Sequence, residues 1–186
     1  MPQTSSAMLP LGTPAPAFAL PDSLSGRSLS LEQLKSDRAT VVMFICNHCP
    51  FVKHVLSGLV AAARDYQPRG VAFIAISSND VLSHPDDGPE QMKRVGQAAG
   101  FPFPYLYDET QQVARAYQAA CTPDFYIFDG ALRLAYRGQF DDSRPGSGKP
   151  VSGRDLRRAL DALLDGKAVD AVQQPSVGCN IKWRGV

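Results

Sequence analysis

Residues 40–50 read TVVMFICNHCP, an apolar run that ends in two cysteines separated by two residues. The run from Thr40 to Ile45 is short, β-branched and aromatic, which is typical of a strand buried on both faces. Apolar residues then recur at the spacing of one helix face, at Phe51, Val52, Val55, Leu56, Leu59, Val60 and Ala63. The pattern predicts a strand followed by a helix, with the cysteine pair at their junction.

Further elements follow along the chain. The run at 71–76, VAFIAI, predicts a second buried strand, and Pro89 with Gly100 bound a predicted helix. Another helix is expected after Asp108. Two apolar runs, 125–128 and 132–136, flank Asp129-Gly130, a dipeptide that favours a tight antiparallel turn because glycine accepts positive φ.

A last helix is predicted after Ser152, which forms a capping-box pattern with Asp155, and Gly166 should end this helix. The resulting order is β-α-β-α-α-β-β-α. Strands and helices that alternate and then close on a hairpin predict an α/β fold, with a central mixed sheet, an antiparallel edge hairpin and helices on both faces.

Length and composition limit the function classes. A chain of 186 residues fits one domain, residues 1–186, in which 167–186 form an extended tail. The formal net charge of +1 predicts no nucleic-acid partner and no anionic membrane surface. No run approaches the ~20 apolar residues of a membrane span, and the first twenty residues lack the features of a secretory signal. We therefore expect a cytoplasmic protein, and nothing in the sequence implies a cofactor.

Cys46 and Cys49 lie where a helix N-terminus is predicted, with Asn47 as the N-cap and Pro50 in the first turn. The partial positive charge of a helix N-terminus stabilises a thiolate. A protonated His48 would lower the thiol pKa further. In a reducing compartment such a pair indicates redox chemistry rather than a structural disulfide. It also resembles half of a zinc site, but no second pair follows at the usual spacing.

These residues resemble the thioredoxin superfamily. The matching motifs are Cys46-Asn47-His48-Cys49 at a strand-to-helix junction and Cys121-Thr122-Pro123 before the strand that begins at Phe125. The resemblance implies a thioredoxin-like fold in which Pro123 is a cis proline facing the cysteine pair. It also implies that Thr122 pairs with the backbone of a substrate.

A narrower resemblance is to the peroxiredoxin-like branch, known as redoxin or AhpC/TSA-like proteins. Residues 15–22, the pair Cys49-Pro50 and residues 178–183 are similar to segments of that branch. Peroxiredoxins carry Thr or Ser where this chain has Cys46, and Arg where it has Pro123. Those two groups polarise the peroxide, so the resemblance favours dithiol exchange over fast peroxide reduction.

The resemblance implies a thiol–disulfide oxidoreductase that acts on disulfide-containing proteins or small thiol or peroxide substrates and takes electrons from a thioredoxin-like donor. Thioredoxins attack with the first cysteine, so Cys46 is expected to be the more exposed nucleophile and Cys49 its resolving partner. The Cys-Pro resemblance implies the reverse order, with Cys49 as the peroxidatic cysteine of a thiol peroxidase. Cys121 and Cys179 are candidate resolving or accessory thiols.

A third hypothesis is a metal-binding protein related to copper chaperones of the same fold, because thiolates bind soft metals. Those proteins usually place three residues between their cysteines and use a distant histidine. This chain places two, and no histidine follows His84. No metal site is therefore predicted.

Overall fold

The computed structural model describes residues 3–185, so residues 1, 2 and 186 of the predicted domain lie outside it. Its main sheet has five strands, which are β4 (Ala39–Phe44), β5 (Val71–Ser77), β6 (Tyr105–Tyr107), β8 (Asp124–Asp129) and β9 (Leu134–Gly138). Their order across the sheet is β6-β5-β4-β8-β9. Strands β4, β5 and β6 run parallel, and β8 and β9 pair antiparallel beyond β4. The predicted mixed sheet with an antiparallel edge hairpin is confirmed.

Helices cover both faces of this sheet, as predicted. The bounds are α1 (Leu31–Leu34), α2 (Pro50–Tyr66), α3 (Pro89–Ala99), α4 (Gln112–Ala116) and α5 (Arg154–Leu164). Successive strand residues point to opposite faces. Val41 and Met43 of β4 therefore pack into the cluster that contains α2, α3 and α5. Val42 and Phe44 pack into the cluster that contains α1 and α4.

Several short strands were not predicted from the sequence. Strand β6 has three residues and directly follows Pro104, which weakens any strand signal in its neighbourhood. Strand β2 (Ala19–Pro21) lies within residues 15–22, the segment that is similar to redoxins, and pairs with β3 (Ser28–Ser30), which was not predicted. Such short elements carry too few residues for a periodic pattern.

A second sheet joins the two ends of the described chain. Its order is β1 (Gln3–Ser5), β10 (Val177–Asn180) and β7 (Cys121–Thr122), and both pairings are antiparallel. After α5 the chain runs without a helix until it enters β10. This sheet brings the C-terminal segment beside the residues that precede Pro123.

Two local predictions are corrected. The N-cap of α5 is Gly153 at φ 66°, not Ser152, because the buried Asp141 carboxylate accepts hydrogen bonds from the backbone N–H groups of Ser152 and Gly153, both at 2.7 Å. In the β8–β9 turn the residue with positive φ is Leu132, at 56°. Gly130 is needed for close approach instead, since a Cβ there would lie 2.0 Å from the carbonyl oxygen of Asp37.

None of the helices in residues 3–185 is both long enough and apolar enough to cross a membrane.

Candidate active site

The cysteine pair lies at the junction of β4 and α2. Cys46 follows the strand, Cys49 is the N-cap of α2, and Pro50 is the first helical residue. Asn47 is therefore not the N-cap; its side-chain amide donates to the carbonyl oxygen of Asp86 at 2.8 Å. Cys46 is 2 % exposed and Cys49 is 0 % exposed. Both thiols are therefore buried, and Cys46 is only marginally the more exposed of the two.

The loop between Cys46 and Cys49 is held by a buried carboxylate, Asp87, which was not predicted from the sequence. One oxygen of Asp87 accepts the backbone N–H groups of Asn47 at 2.7 Å and His48 at 3.2 Å. The other accepts from the side-chain amide of Asn79 at 2.8 Å and lies 2.5 Å from Nδ1 of His48. Asp87 is fully buried and lies about forty residues after the cysteines. The residues next to Asp87 in the sequence indicate only a polar loop, so they do not predict this role.

The surroundings shift the pKa values of Cys46 and Cys49 in opposite directions. The pKa of Cys46 is raised by its hydrogen bond to Cys49, by burial and by the negative charge of Asp87. The pKa of Cys49 is lowered by hydrogen bonding with Cys46, with Cys179 and with the backbone N–H of Val52, against the effect of burial. Asp87 takes the loop N–H groups that would otherwise stabilise a thiolate at Cys46. The arrangement therefore favours the order in which Cys49 holds the thiolate.

Thr122 and Pro123 face the pair. The peptide bond between them is cis, as the resemblance implied. Thr122 Oγ1 lies 3.4 Å from the sulfur of Cys46, and the carbonyl oxygen of Thr122 lies 3.3 Å from the sulfur of Cys49. The backbone of Thr122 is paired with Cys179 of strand β10. The position expected to meet a substrate backbone is thus filled by the C-terminal segment of the same chain.

The other two cysteines lie in different surroundings. The sulfur of Cys179 lies 2.8 Å from that of Cys49, and burial raises the pKa of Cys179 to about 12. Cys121 is fully buried, and burial also raises its pKa. Its sulfur contacts the backbone carbonyl oxygens of Pro123 at 3.8 Å and Ser176 at 4.0 Å. The structure therefore brings the thiols of Cys46, Cys49 and Cys179 together, whereas the thiol of Cys121 packs against backbone carbonyl groups.

Three groups at the site have the chemistry of metal ligands. Ligand atoms of Cys46, His48 and Asp87 all lie within 4.8 Å of one another. Within residues 3–185, Nε2 of His48 is buried and has no hydrogen-bond partner. A structural zinc site usually has four such ligands, so this set is one short. An ion pair or hydrogen bond between His48 and Asp87 accounts for their contact, so no metal is needed to explain it.

A small cavity adjoins Cys46 on the side of α2 and α3. Its volume is about 130 Å³, and its lining is mainly apolar, with Ile45, Val52, Leu56, Val95, Phe101 and Tyr105 among the lining residues. Since a water molecule occupies about 30 Å³ of the liquid, this space accommodates only a few heavy atoms.

Comparison with known proteins identifies the family of the chain. The model of the AhpC/TSA family matches residues 11–137. A relative in Mycobacterium tuberculosis, named "Putative peroxiredoxin Rv2521", is 30% identical over 135 residues, which cover 72% of this chain and 80% of that protein.

Solved structures show the fold. A crystal structure of an uncharacterized conserved protein from Geobacillus kaustophilus is 60% identical, covers 100% of this chain and 98% of its own, and has a TM-score of 0.98. A hypothetical protein from Sinorhizobium meliloti is 49% identical over 98% of this chain and 100% of its own, with a TM-score of 0.96. The thioredoxin domain of a thiol-disulfide oxidoreductase from Bacteroides vulgatus, 18% identical over 81% of this chain and 98% of its own, has a TM-score of 0.62 and shows the fold alone. The chain has a thioredoxin-like fold and belongs to the AhpC/TSA family of redox proteins.

Proposed function

We propose that the protein is a thiol–disulfide oxidoreductase whose reactive groups are Cys46 and Cys49. The observation that carries the proposal is the placement of Cys49 at the N-terminus of α2, where its pKa is lowered, beside a second thiol whose pKa is raised. A thiolate is the nucleophile in disulfide exchange, and a neighbouring thiol completes the reaction.

The proposed reaction has two steps. The Cys49 thiolate attacks one sulfur of a substrate disulfide, forms a mixed disulfide and releases one substrate thiolate, which takes up a proton. Cys46 then loses its proton and attacks the sulfur of Cys49, which releases the second substrate thiol. Two electrons pass from the dithiol to the substrate, and a Cys46–Cys49 disulfide remains.

Recycling requires an external dithiol. We propose a thioredoxin-like donor, which reduces the Cys46–Cys49 disulfide by the same two exchanges. All four cysteines are free thiols, and a reduced Cys46–Cys49 pair is the form that donates electrons. His48 acts in this scheme through its contact with Asp87, as a positioning residue for the loop between the two cysteines.

Reduction of oxidised glutathione tests the proposal. The protein is supplied with thioredoxin, thioredoxin reductase and NADPH, and NADPH consumption above the rate without the protein is measured. We expect turnover by the wild type, loss of turnover in Cys49→Ser and unchanged turnover in Cys121→Ser, whose sulfur contacts the backbone carbonyl groups of Pro123 and Ser176. A wild-type rate equal to the blank contradicts the proposal.

A second candidate function is thiol peroxidase activity, which the 2.8 Å distance between the sulfurs of Cys49 and Cys179 favours. The Cys49 thiolate would attack the peroxide oxygen, become a sulfenic acid and release an alkoxide or hydroxide that takes up a proton. The Cys179 thiol would then form a disulfide with Cys49 and release water. Pro123 stands where peroxiredoxins carry an arginine, so we expect slow peroxide reduction.

Peroxide consumption separates the two functions. The rate with hydrogen peroxide is compared with that for oxidised glutathione under the same donor system. A higher specificity constant for the peroxide, lost in Cys179→Ser, would make the peroxidase the main activity.

A further inference from the structure

Strand β10 packs directly against the cysteine pair. It pairs antiparallel with β7, so that Cys179 lies opposite Thr122. Gly178 permits this close contact, because a Cβ there would lie 1.9 Å from the carbonyl oxygen of Thr122. Cys49 is fully buried, and its sulfur lies 2.8 Å from that of Cys179. A substrate disulfide or a protein donor can therefore reach Cys49 only when the structure opens locally, and Cys179 is one of the groups that must move.

Several contacts outside the thiols hold the strand. The hydroxyl of Ser176 donates to the carbonyl oxygen of Pro123 at 2.5 Å. The backbone N–H of Lys182 donates to Oδ1 of Asn79 at 2.9 Å, and strand β1 pairs with the other edge of β10. None of these contacts involves the sulfur of Cys49, so none depends directly on its oxidation state.

The contact between Cys179 and Cys49 does depend on oxidation state. Hydrogen bonding with Cys179 lowers the pKa of Cys49, so the contact stabilises the thiolate of the reduced pair. Hydrogen bonds to a charged group are roughly twice as strong as those between neutral groups. In a Cys46–Cys49 disulfide the sulfur of Cys49 carries neither a charge nor a proton, and such a sulfur is a weak acceptor. Oxidation therefore weakens one bond that holds the strand and leaves the others in place.

We propose that oxidation of the Cys46–Cys49 pair loosens strand β10, so that the disulfide form opens more often than the dithiol form. This inference rests on the proposed function and concerns the regulation of the same site. The dithiol meets its substrate in a small open fraction of molecules. The disulfide has a larger open fraction, in which the thioredoxin-like donor reaches it. The strand thus responds to the two electrons that the pair has lost and needs no further ligand.

The coupling has a second consequence, because linkage between two equilibria is reciprocal. If the disulfide weakens the contact with Cys179, then that contact favours the dithiol by the same factor. Loss of the Cys179 thiol should therefore shift the equilibrium of the pair toward the disulfide.

Amide hydrogen exchange at pH 7 tests the proposal. The wild type is measured as the dithiol and after oxidation with one equivalent of diamide, which takes two electrons and two protons from the pair and becomes a hydrazine. Peptide mapping identifies the disulfide as Cys46–Cys49. We expect residues 177–182 to exchange at least about tenfold faster in the disulfide form, the usual effect of losing a hydrogen bond to a charged group. Exchange in α5 should be the same in both forms.

Two variants separate this contact from general loosening of the strand. Cys179→Ala removes the thiol, so the exchange rates of the two forms should agree within about twofold. Ser176→Ala removes the contact with Pro123 instead, so exchange should rise in both forms while their ratio stays as in the wild type. In a glutathione buffer, Cys179→Ala should also shift the equilibrium of the pair about tenfold toward the disulfide.

Equal exchange in the two forms of the wild type, or a wild-type ratio in Cys179→Ala, overturns the inference. If Cys179→Ala folds poorly, Cys179→Val fills the volume and also lacks a donor, so the same ratio is read from that variant. A Cys49–Cys179 disulfide in the oxidised wild type, or no disulfide at all, contradicts the proposed function itself.

Discussion

Cys49 and Cys179 are 130 positions apart in the sequence, yet their sulfur atoms lie 2.8 Å apart. Cys49 is held by the N-terminus of α2, and Cys179 by a strand that is paired on both sides. The Cys49 sulfur therefore has two thiol neighbours, Cys46 and Cys179, and hydrogen bonding with both lowers its pKa.

Removal of Cys46 should redirect the disulfide. In Cys46→Ser, we expect one equivalent of a mild oxidant to link Cys49 to Cys179, because the two sulfurs already lie in contact. Peptide mapping under non-reducing conditions detects the link. The matched control is Cys46→Ser combined with Cys121→Ser, which should give the same link. Pairing of Cys49 with Cys121 would contradict the geometry.

Loss of the Asp87 charge should shift the pH dependence of the second exchange. Asp87 raises the pKa of Cys46, so in Asp87→Asn that pKa falls and Cys46 loses its proton at lower pH. We expect the rising limb of the resolution rate to move down by roughly one pH unit, the usual effect of one nearby charge. Stopped-flow measurement of mixed-disulfide decay between pH 6 and 10 gives the profile. Asp86→Asn is the matched control, since Asp86 binds Asn47 through its backbone carbonyl; an equal shift in both variants would rule out the charge effect.

The buried ion pair between β8 and β9 should matter for stability. Asp124 of β8 and Arg137 of β9 are fully buried, and Nη2 of Arg137 lies 3.0 Å from Oδ2 of Asp124. Asp124→Ala leaves the guanidinium unpaired, so we expect the free energy of unfolding to fall by about 3–5 kcal/mol. Urea denaturation measures the change. Asp142→Ala, which breaks a half-exposed pair with Lys149, should cost less than about 1 kcal/mol. Similar losses in the two variants would contradict the assignment.

The close contact between Gly130 and the backbone of Asp37 predicts that a larger residue at position 130 lowers the free energy of unfolding. Gly130→Ala places a Cβ 2.0 Å from the carbonyl oxygen of Asp37, where backbone must move. We expect a loss of about 1–3 kcal/mol, the usual range for overpacking. Thermal unfolding by circular dichroism measures it. An unchanged midpoint would show that the turn relaxes freely.

The long apolar patterns were sufficient to predict four of the five strands of the central sheet, the helices α2 to α5 and the location of the cysteine pair. Elements of two to four residues were not predictable, because they carry no repeating pattern and are held by partners distant in sequence. Asp87 shows the same limit at the site: its role depends on hydrogen bonds to Asn47 and His48 across the fold. The order of the two thiols was left open by the sequence, since both cysteines lie near one helix N-terminus and the groups that distinguish them, Asp87 and Cys179, are distant in the chain.

The most direct test of the account is which cysteine accepts a substrate. Two variants are compared, Cys46→Ser with Cys179→Ser, which retains Cys49, and Cys49→Ser with Cys179→Ser, which retains Cys46. Each is mixed with oxidised glutathione at pH 7, and intact-mass spectrometry follows the glutathione adduct. The lowered pKa of Cys49 predicts rapid, stable adduct formation in the first variant and at least about tenfold slower reaction in the second, because the thiolate is the nucleophile. Faster adduct formation at Cys46 would contradict the account.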